Sequence, residues 1–229
     1  MVTDNKLLPL WQKVELNYRL ITKQPKISDI FDVFCLCAEL TNEYDESHDL
    51  GHHADVFVNA TNIYIQLIAN DIPNEEVVTY ITYAALLHDT IDYKYPNNLQ
   101  NKIKKVDEYL KNKLGNVWLN VKWIIDNMSY SKEAKNGYPV HSNTDVQLAR
   151  DIVSDADKLE AIGDIGIIRC TQYGRVAHPN ANEKELKQLV IQHCHDKLLK
   201  IKDQYIRTVP GKLMAEPRHQ VIADFVKNN

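Results

Sequence analysis

Four stretches of the sequence combine metal-capable side chains with helix-like surroundings. An apolar run in "AALLHDTIDYKY" ends in His88 and Asp89, followed closely by Asp92 and Lys94. Because burying an unpartnered charge is costly, such a cluster requires a metal ion, a hydrogen-bond network or solvent as its partner. Rigidly held imidazole and carboxylate groups, with one coordination position open to water, are what a catalytic metal requires. The stretch therefore indicates chemistry at the end of a buried helix.

The other three stretches contain further candidate ligands. They are "SHDLGHHADV" at 47–56, "SDADKLEAIG" at 154–163 and "QHCHD" at 192–196. The first two can act together with His88 and Asp89. His48 precedes its helix and could line the site, whereas His53 lies one residue round the helix from His52 and should point elsewhere. His193 and His195 project in different directions, which favours surface or packing roles.

Helical periodicity accounts for the elements that must position these residues. In "NLQNKIKKVDEYLKNKLG" apolar residues recur every three or four positions, and Gly115 is placed to end the helix. Thr144 with Gln147 resembles a capping box at the start of another helix. Further helices are predicted over about 8–22, 28–42, 75–87, 162–172, 183–206 and 211–226. The longest stretches predicted to be non-helical are 130–144 and 173–182, the expected rims of a site.

Composition limits the class of protein. The 229 residues are 44% hydrophobic and contain no Pro/Gly/Ser-rich linker, which favours one all-helical domain. A net charge of −4 without a dense basic run argues against nucleic-acid binding. No apolar window approaches the roughly 20 residues that cross a bilayer. Four widely spaced cysteines suggest neither a disulfide framework nor a structural zinc site. We therefore expect a cytoplasmic protein.

The order of the motifs resembles the HD-domain metal-dependent phosphohydrolases. A histidine opens one helix, an apolar run leads into His-Asp, and Ala-Asp-Lys-Leu follows later. "SHDLGHHADV", "HDTIDYKY", "DADKLEAIGDIGIIR" and "KLMAEPRHQVIADF" are similar to the small stand-alone HD hydrolases that act on nucleotides. The resemblance implies an all-α, single-domain helical bundle over residues 45–226. Residues 1–44 would form N-terminal helices that pack on this core.

The resemblance also implies a ligand set. His52 matches its first histidine, His88 and Asp89 its doublet, and Asp157 its distant aspartate. Two imidazoles and two carboxylates suit manganese, which we favour, and are compatible with Fe, Ni, Co, Zn or Mg. Asp55 departs from the pattern, since many HD domains have arginine there. This departure predicts that the chain lacks one basic substrate contact.

Further residues have candidate catalytic or substrate-binding roles. Asp89 and Asp92 are the candidate catalytic residues, with Asp92 either orienting the water as a general base or serving only as a turn residue. Basic side chains near the predicted rims could bind phosphate oxygens. The candidates are Lys94, Lys132, Arg169 and Arg175.

For the two aspartates of "SDADKLEAIG", helical periodicity and the family resemblance favour different metal ligands. At 100° per residue, Asp155 falls on the same stripe as Ile152 and Leu159, so periodicity favours it as the inward carboxylate. The resemblance places the ligand at Asp157. We predict Asp157 as the ligand and Asp155 as a neighbouring hydrogen-bonding carboxylate.

These features lead to one favoured function and two alternatives. The favoured function is a metal-dependent phosphohydrolase that cleaves a phosphomonoester or pyrophosphate bond of a small nucleotide. One alternative is an inactive module that retains the metal and senses a nucleotide, and the other is a purely structural helical protein. Retention of all four ligand types together with Asp92 argues against the inactive module. A homodimer remains open.

Overall fold

The structure is a computed structural model that describes residues 4–24, 26–45, 48–69, 71–91 and 97–228. Within these ranges the chain forms helices and no strand, so the predicted all-α class is confirmed. None of the described helices is both long and apolar enough to cross a bilayer. The α-helices are α1 (Asp4–Ile21), α2 (Ile27–Leu40), α3 (Leu50–Ile68), α4 (Glu75–Leu87), α5 (Leu99–Leu114), α6 (Trp118–Asn127), α7 (Tyr130–Asn136), α8 (Thr144–Glu160), α9 (Asp164–Ala177), α10 (Glu183–His193) and α11 (Val209–Lys227).

The packing of the chain divides it into two compact units, Met1–Ser154 and Asp155–Asn229. Helix α8 begins in the first unit and ends in the second. The N-terminal helices α1 and α2 belong to the first unit, where α1 packs on α3. The predicted domain ranges 1–44 and 45–226 do not coincide with this division and stay a prediction.

Helix α4 is the centre of the first unit. It contacts α2, α3 and α6, and ten of its residues are buried. A helix covered on all sides must be hydrophobic all round, which explains the unbroken run Tyr83–Leu87. Asn74 caps the start of α4 by accepting hydrogen bonds from the N–H groups of Glu76 and Val77. Because α4 is buried, His88, the residue after Leu87, lies in the interior.

Helix ends follow the expected chemistry with one correction. Gly115 ends α5 with a φ of 56°, as predicted. At α8 the cap is not Thr144, because the side chain of Asn143 accepts from the N–H groups of Asp145 and Val146 at 2.8 and 3.2 Å. Asn is among the strongest N-cap residues, and its amide oxygen here satisfies two helix-start donors.

Both stretches predicted to be non-helical contain helix. Tyr130–Asn136 forms α7, which stops at Gly137 with a φ of 84°. Helix α9 continues through Gly174 to Ala177. A Cβ on Gly174 would lie 2.7 Å from Leu186 Cδ1, so this glycine permits close contact with α10 rather than breaking α9. The predicted helix 183–206 is helical to residue 205 but contains two π-helical turns, at Cys194–Leu198 and Ile201–Tyr205.

Candidate metal centre

The start of α3 positions two histidines through local hydrogen bonds. Asp49 caps the helix, and its carboxylate accepts from the N–H of His52 at 3.1 Å. Gly51 leaves room for this cap, because a Cβ there would lie 2.9 Å from Asp49 Oδ1. His48 directly precedes the cap, and its N–H donates to Asp45 O at 3.0 Å. The sequence around the cap thus fixes the backbone of both histidines relative to the helix start.

His88 follows the last residue of α4, and one hydrogen bond sets its tautomer. Its Nδ1 lies 2.9 Å from Ala85 O, and a carbonyl oxygen can only accept. In the neutral ring the proton is therefore on Nδ1, and the lone pair is on Nε2. The side chain is only 1% exposed. The helix end thus presents a fixed nitrogen donor inside the fold.

The turn that contains Asp89 is held by hydrogen bonds at the next residue, Thr90. Thr90 Oγ1 donates to Leu87 O at 2.8 Å, and Tyr44 Oη donates to Thr90 O at 2.9 Å. Lys102 Nζ lies 4.3 Å from the centre of the Tyr44 ring. These contacts connect the turn to the bend after α2, which contains Tyr44, and to α5, which contains Lys102. Neither Tyr44 nor Lys102 was signalled by any sequence motif.

The metal-capable atoms converge. His52 Nε2 and His88 Nε2 are 3.1 Å apart, and Asp89 Oδ2 lies 3.9 and 3.6 Å from them. Asp157, on α8, is the fourth member of this group, in which one donor atom of each residue lies within 4.8 Å of the others. These are the four residues that the resemblance implies as ligands.

The donor set and its spacing fit one divalent ion. Two ligands at about 2.1 Å from a metal, at an angle near 90°, are separated by roughly 3.0 Å. The separation of the two imidazole nitrogens, 3.1 Å, matches this value. Without an ion, the same separation suits a hydrogen bond between the two nitrogens. Imidazole with carboxylate is a set that Mn, Fe, Co, Ni and Zn accept.

Two further histidines border this group. His53 is fully buried, and its ring centre lies 4.8 Å from that of His88 and 5.7 Å from that of His52. Burial, with His88 and His48 as further causes, lowers the pKa of His53 well below its ordinary value. His53 packs against both rings but is not one of the four metal-capable donors, in keeping with the expectation that it does not point where His52 points. His48 Nε2 lies 3.8 Å from Asp89 Oδ2, in keeping with a residue that lines the site.

Asp155 has a different task from Asp157. Its fully buried carboxylate accepts from Arg207 N at 2.8 Å, Thr208 N at 2.7 Å and Thr208 Oγ1 at 2.8 Å. Burial raises the pKa of Asp155 to about 6, although these hydrogen bonds oppose the shift. The carboxylate thus holds the residues that open α11. Periodicity indicated correctly that Asp155 faces inward. It does so to accept hydrogen bonds from Arg207 and Thr208, which belong to the same unit.

The candidate substrate contacts have partners near them in the chain. Asp92 and Lys94 lie outside the described residues. The described ones make these contacts: Lys132 Nζ to Asp126 O at 2.7 Å, Arg169 Nη1 to Glu160 O at 3.2 Å, and Arg175 Nη2 to Glu183 Oε1 at 3.1 Å. Their roles toward a substrate stay predictions.

A basic side chain does lie at the position of the Asp55 departure. Lys13 of α1 forms an ion pair with Asp55, one turn after His52 on α3. Both side chains are 40% exposed. The two residues are 42 positions apart, so only the packing of α1 on α3 could reveal the pair.

Comparison with known proteins identifies a relative of the chain and solved structures with the same fold. No protein-family model matches it. The uncharacterized protein YpgQ of Bacillus subtilis strain 168 is 31% identical over 147 residues, which are 63% of this chain and 67% of YpgQ.

Two solved structures share the fold over most of the chain. An HD-superfamily hydrolase from Bacillus thuringiensis is 26% identical, with a TM-score of 0.63 over 89% of this chain and 96% of that one. The crystal structure of Bacillus subtilis YpgQ in complex with ADP is 24% identical, with a TM-score of 0.60 over 86% of this chain and 94% of that one. With this relative, this fold and a His-Asp group of metal-capable donors, the chain belongs to the HD superfamily, in the family that contains YpgQ.

Proposed function

We propose that the protein is a metal-dependent phosphohydrolase that cleaves a phosphomonoester or pyrophosphate bond of a small nucleotide. The observation that carries this proposal is the convergence of two imidazole nitrogens and two carboxylates on one point. The HD-superfamily hydrolase among the solved structures supports hydrolysis as the reaction class. A nucleotide substrate is supported by the ADP complex of YpgQ.

In this proposal His52, His88, Asp89 and Asp157 hold one divalent ion, with manganese favoured. When bound, such an ion polarises a phosphoryl oxygen and lowers the pKa of a bound water. The chain contributes orientation: the Nδ1 bond of His88 to Ala85 O directs its Nε2 toward the group. Such an arrangement needs no nucleophilic side chain.

Solvent exposure indicates how a substrate approaches. The side chain of Asp89 is 34% exposed, whereas those of His52 and His88 are 4% and 1% exposed. A phosphate therefore meets the site from the Asp89 side. We propose Asp92, three residues later, as the group that orients the attacking water. Phosphate oxygens would be bound by basic side chains, for which the candidates are Lys94, Lys132, Arg169 and Arg175.

A second candidate function is a nucleotide sensor that retains the metal without catalysis. The ADP complex of YpgQ is equally suited to a protein that binds a nucleotide and leaves it intact. The group of four donors favours the hydrolase, since a site that has lost catalysis should also have lost some of these donors.

The test is a substrate screen on protein purified without a histidine tag. Nucleoside mono-, di- and triphosphates are combined with Mn, Co, Ni, Zn or Mg, and both phosphate and pyrophosphate release are followed. We expect turnover that depends on the metal and stops with a chelator, and the product identifies the bond. Bound metal and bound nucleotide without turnover would favour the sensor. Absence of bound metal, with no rise in Tm on adding Mn, would overturn the proposal.

A further inference from the structure

His48 lies on the solvent side of the metal-binding group. Exposure of the side chains rises from 1% at His88 and 4% at His52 to 19% at His48 and 34% at Asp89. The two inner rings are sealed by the fold. A molecule that approaches from solvent therefore contacts Asp89 and His48 before it contacts either inner imidazole.

His48 stands beside the group without being one of its members. Its Nε2 is 3.8 Å from Asp89 Oδ2, but the four donors within 4.8 Å of one another do not include it. Its ring centre is 6.0 Å from that of His52. These distances place the His48 imidazole along the edge of the Asp89 carboxylate, adjacent to any ion that the group binds.

The backbone of His48 is fixed by its immediate neighbours. Its N–H donates to Asp45 O, and the next residue, Asp49, is the side-chain cap of α3. The backbone that carries the ring is therefore held at the helix start by bonds within a few residues. A side chain on a fixed backbone loses less conformational entropy when it contacts a ligand.

An imidazole in this place has a clear chemical use. The carboxylate of Asp89 repels the oxygens of an approaching phosphate, and an N–H donor at its edge offsets that repulsion. A hydrogen bond to an ionised oxygen is stronger than one between neutral groups. We infer that His48 binds a phosphoryl oxygen of the substrate, outside the set of metal ligands. This inference rests on the proposed function and names a residue of its substrate site.

The experiment separates phosphate binding from metal binding. The variants are His48→Ala, His48→Gln, His52→Ala as a ligand control, and His195→Gln as an exposed histidine from the other unit. Calorimetry measures Mn binding first, and then the binding of inorganic pyrophosphate and of ADP to the Mn-loaded protein. In His48→Ala, Mn affinity should be unchanged and pyrophosphate affinity should fall about tenfold or more, the scale of one hydrogen bond to a charged group.

The conservative variant tests the donor itself. His48→Gln keeps an N–H donor and should recover most of the lost pyrophosphate affinity, and His195→Gln should match the unmodified protein. Equal pyrophosphate affinity in His48→Ala and the unmodified protein would overturn the inference. Loss of Mn affinity in His48→Ala to the extent seen in His52→Ala would also overturn it, by making His48 a ligand.

Turnover separates this inference from the proposed function. If the Mn-loaded protein binds pyrophosphate through His48 but cleaves no nucleotide, the hydrolase proposal fails and the inference stands. If nucleotides are cleaved and His48→Ala retains full turnover and full pyrophosphate affinity, only the inference fails. If the unmodified Mn-loaded protein neither binds pyrophosphate or ADP nor cleaves a nucleotide, both fail.

Discussion

The first unit contains two buried polar clusters of opposite construction. In one, the guanidinium of Arg150 is fully buried and gives each of its nitrogens an acceptor. Its contacts are Nε to Asn127 O at 3.0 Å, Nη1 to Asp151 Oδ1 at 2.9 Å and Nη2 to Glu133 Oε2 at 2.7 Å. This cluster contains both a cation and its carboxylate partners, so the chain itself supplies the ion pair.

The other cluster brings acceptors together instead. The Nε2 atoms of His52 and His88 face each other at 3.1 Å, with the carboxylate of Asp89 alongside. Nε2 of His88 has a lone pair because the proton is on Nδ1, and the oxygens of Asp89 are acceptors, so a cation from outside the chain would stabilise this cluster. Both clusters combine buried side chains with a carboxylate, so what separates a structural ion pair from a candidate binding site is whether the chain supplies the cation.

The largest effect is expected from removing a donor of the converging cluster. His88→Ala or Asp89→Ala should lower metal-dependent turnover about a thousandfold, since the ion contributes several kcal/mol to the transition state. Steady-state turnover of the best nucleotide from the substrate screen measures this. His195→Ala, at an exposed position, should be neutral. Unchanged turnover in both site variants would show that the convergence is not the active centre.

Breaking the cluster around Arg150 should lower the free energy of unfolding and leave metal binding unchanged. Arg150→Met leaves Glu133 buried without its guanidinium partner, so the free energy of unfolding should fall by about 3–5 kcal/mol. Urea unfolding measures the loss, and Mn affinity of the folded variant should be unchanged.

The exposed pair of Arg175 and Glu183 is the matched control. Arg175→Met should change the free energy of unfolding by less than about 1 kcal/mol, because exposed ion pairs contribute little. If Arg150→Met were equally mild, or if it abolished Mn binding, the contrast between the two clusters would not hold.

The two aspartates of α8 provide a finer test. Asp157→Asn should weaken Mn binding more than about 100-fold, because changes at residues that merely orient ligands already cost 10–100-fold. Asp155→Asn should leave Mn binding within about tenfold and lower the free energy of unfolding by about 1–3 kcal/mol, through its bonds to Thr208 and Arg207. Mn titration and urea unfolding on both variants decide the matter. The opposite ranking in Mn affinity would assign the ligand to Asp155.

The smallest effect is expected at the half-exposed pair of Lys13 and Asp55. Lys13→Met should change the free energy of unfolding by less than about 1 kcal/mol, since solvent screens the pair. The difference should shrink further in 1 M salt, where the screening length is about 3 Å. Urea unfolding at low and high salt measures it. A loss as large as that of Arg150→Met would mean that exposure does not distinguish the two pairs.

Much of the site could be predicted because its residues stand next to strong local signals. His88 and Asp89 directly follow an apolar run, and that run is a helix buried on every side. The resemblance located His52 and Asp157, and the structure brings both into the same group. The fold class was equally accessible, since helical periodicity of the kind seen before Gly115 recurs along the chain.

The remaining features depend on contacts between distant parts of the chain. No local pattern reveals that Lys13 meets Asp55 or that Tyr44 supports the turn at Thr90. The placement of His53 against His88 follows from how closely α3 and α4 pack, which periodicity does not measure. Gly174 illustrates the same limit, because a glycine reads as a helix breaker until the neighbouring helix is known.

The bond from His88 Nδ1 to Ala85 O couples the site to the local unfolding of the last turn of α4. The imidazole presents Nε2 to the group only while the last turn of α4 is closed, so an ion that needs this nitrogen favours the closed turn. Backbone amides in that turn should consequently exchange with solvent deuterium more slowly as the site fills. The rate at which the site releases its ion and the rate at which this turn opens would then be two measures of one motion.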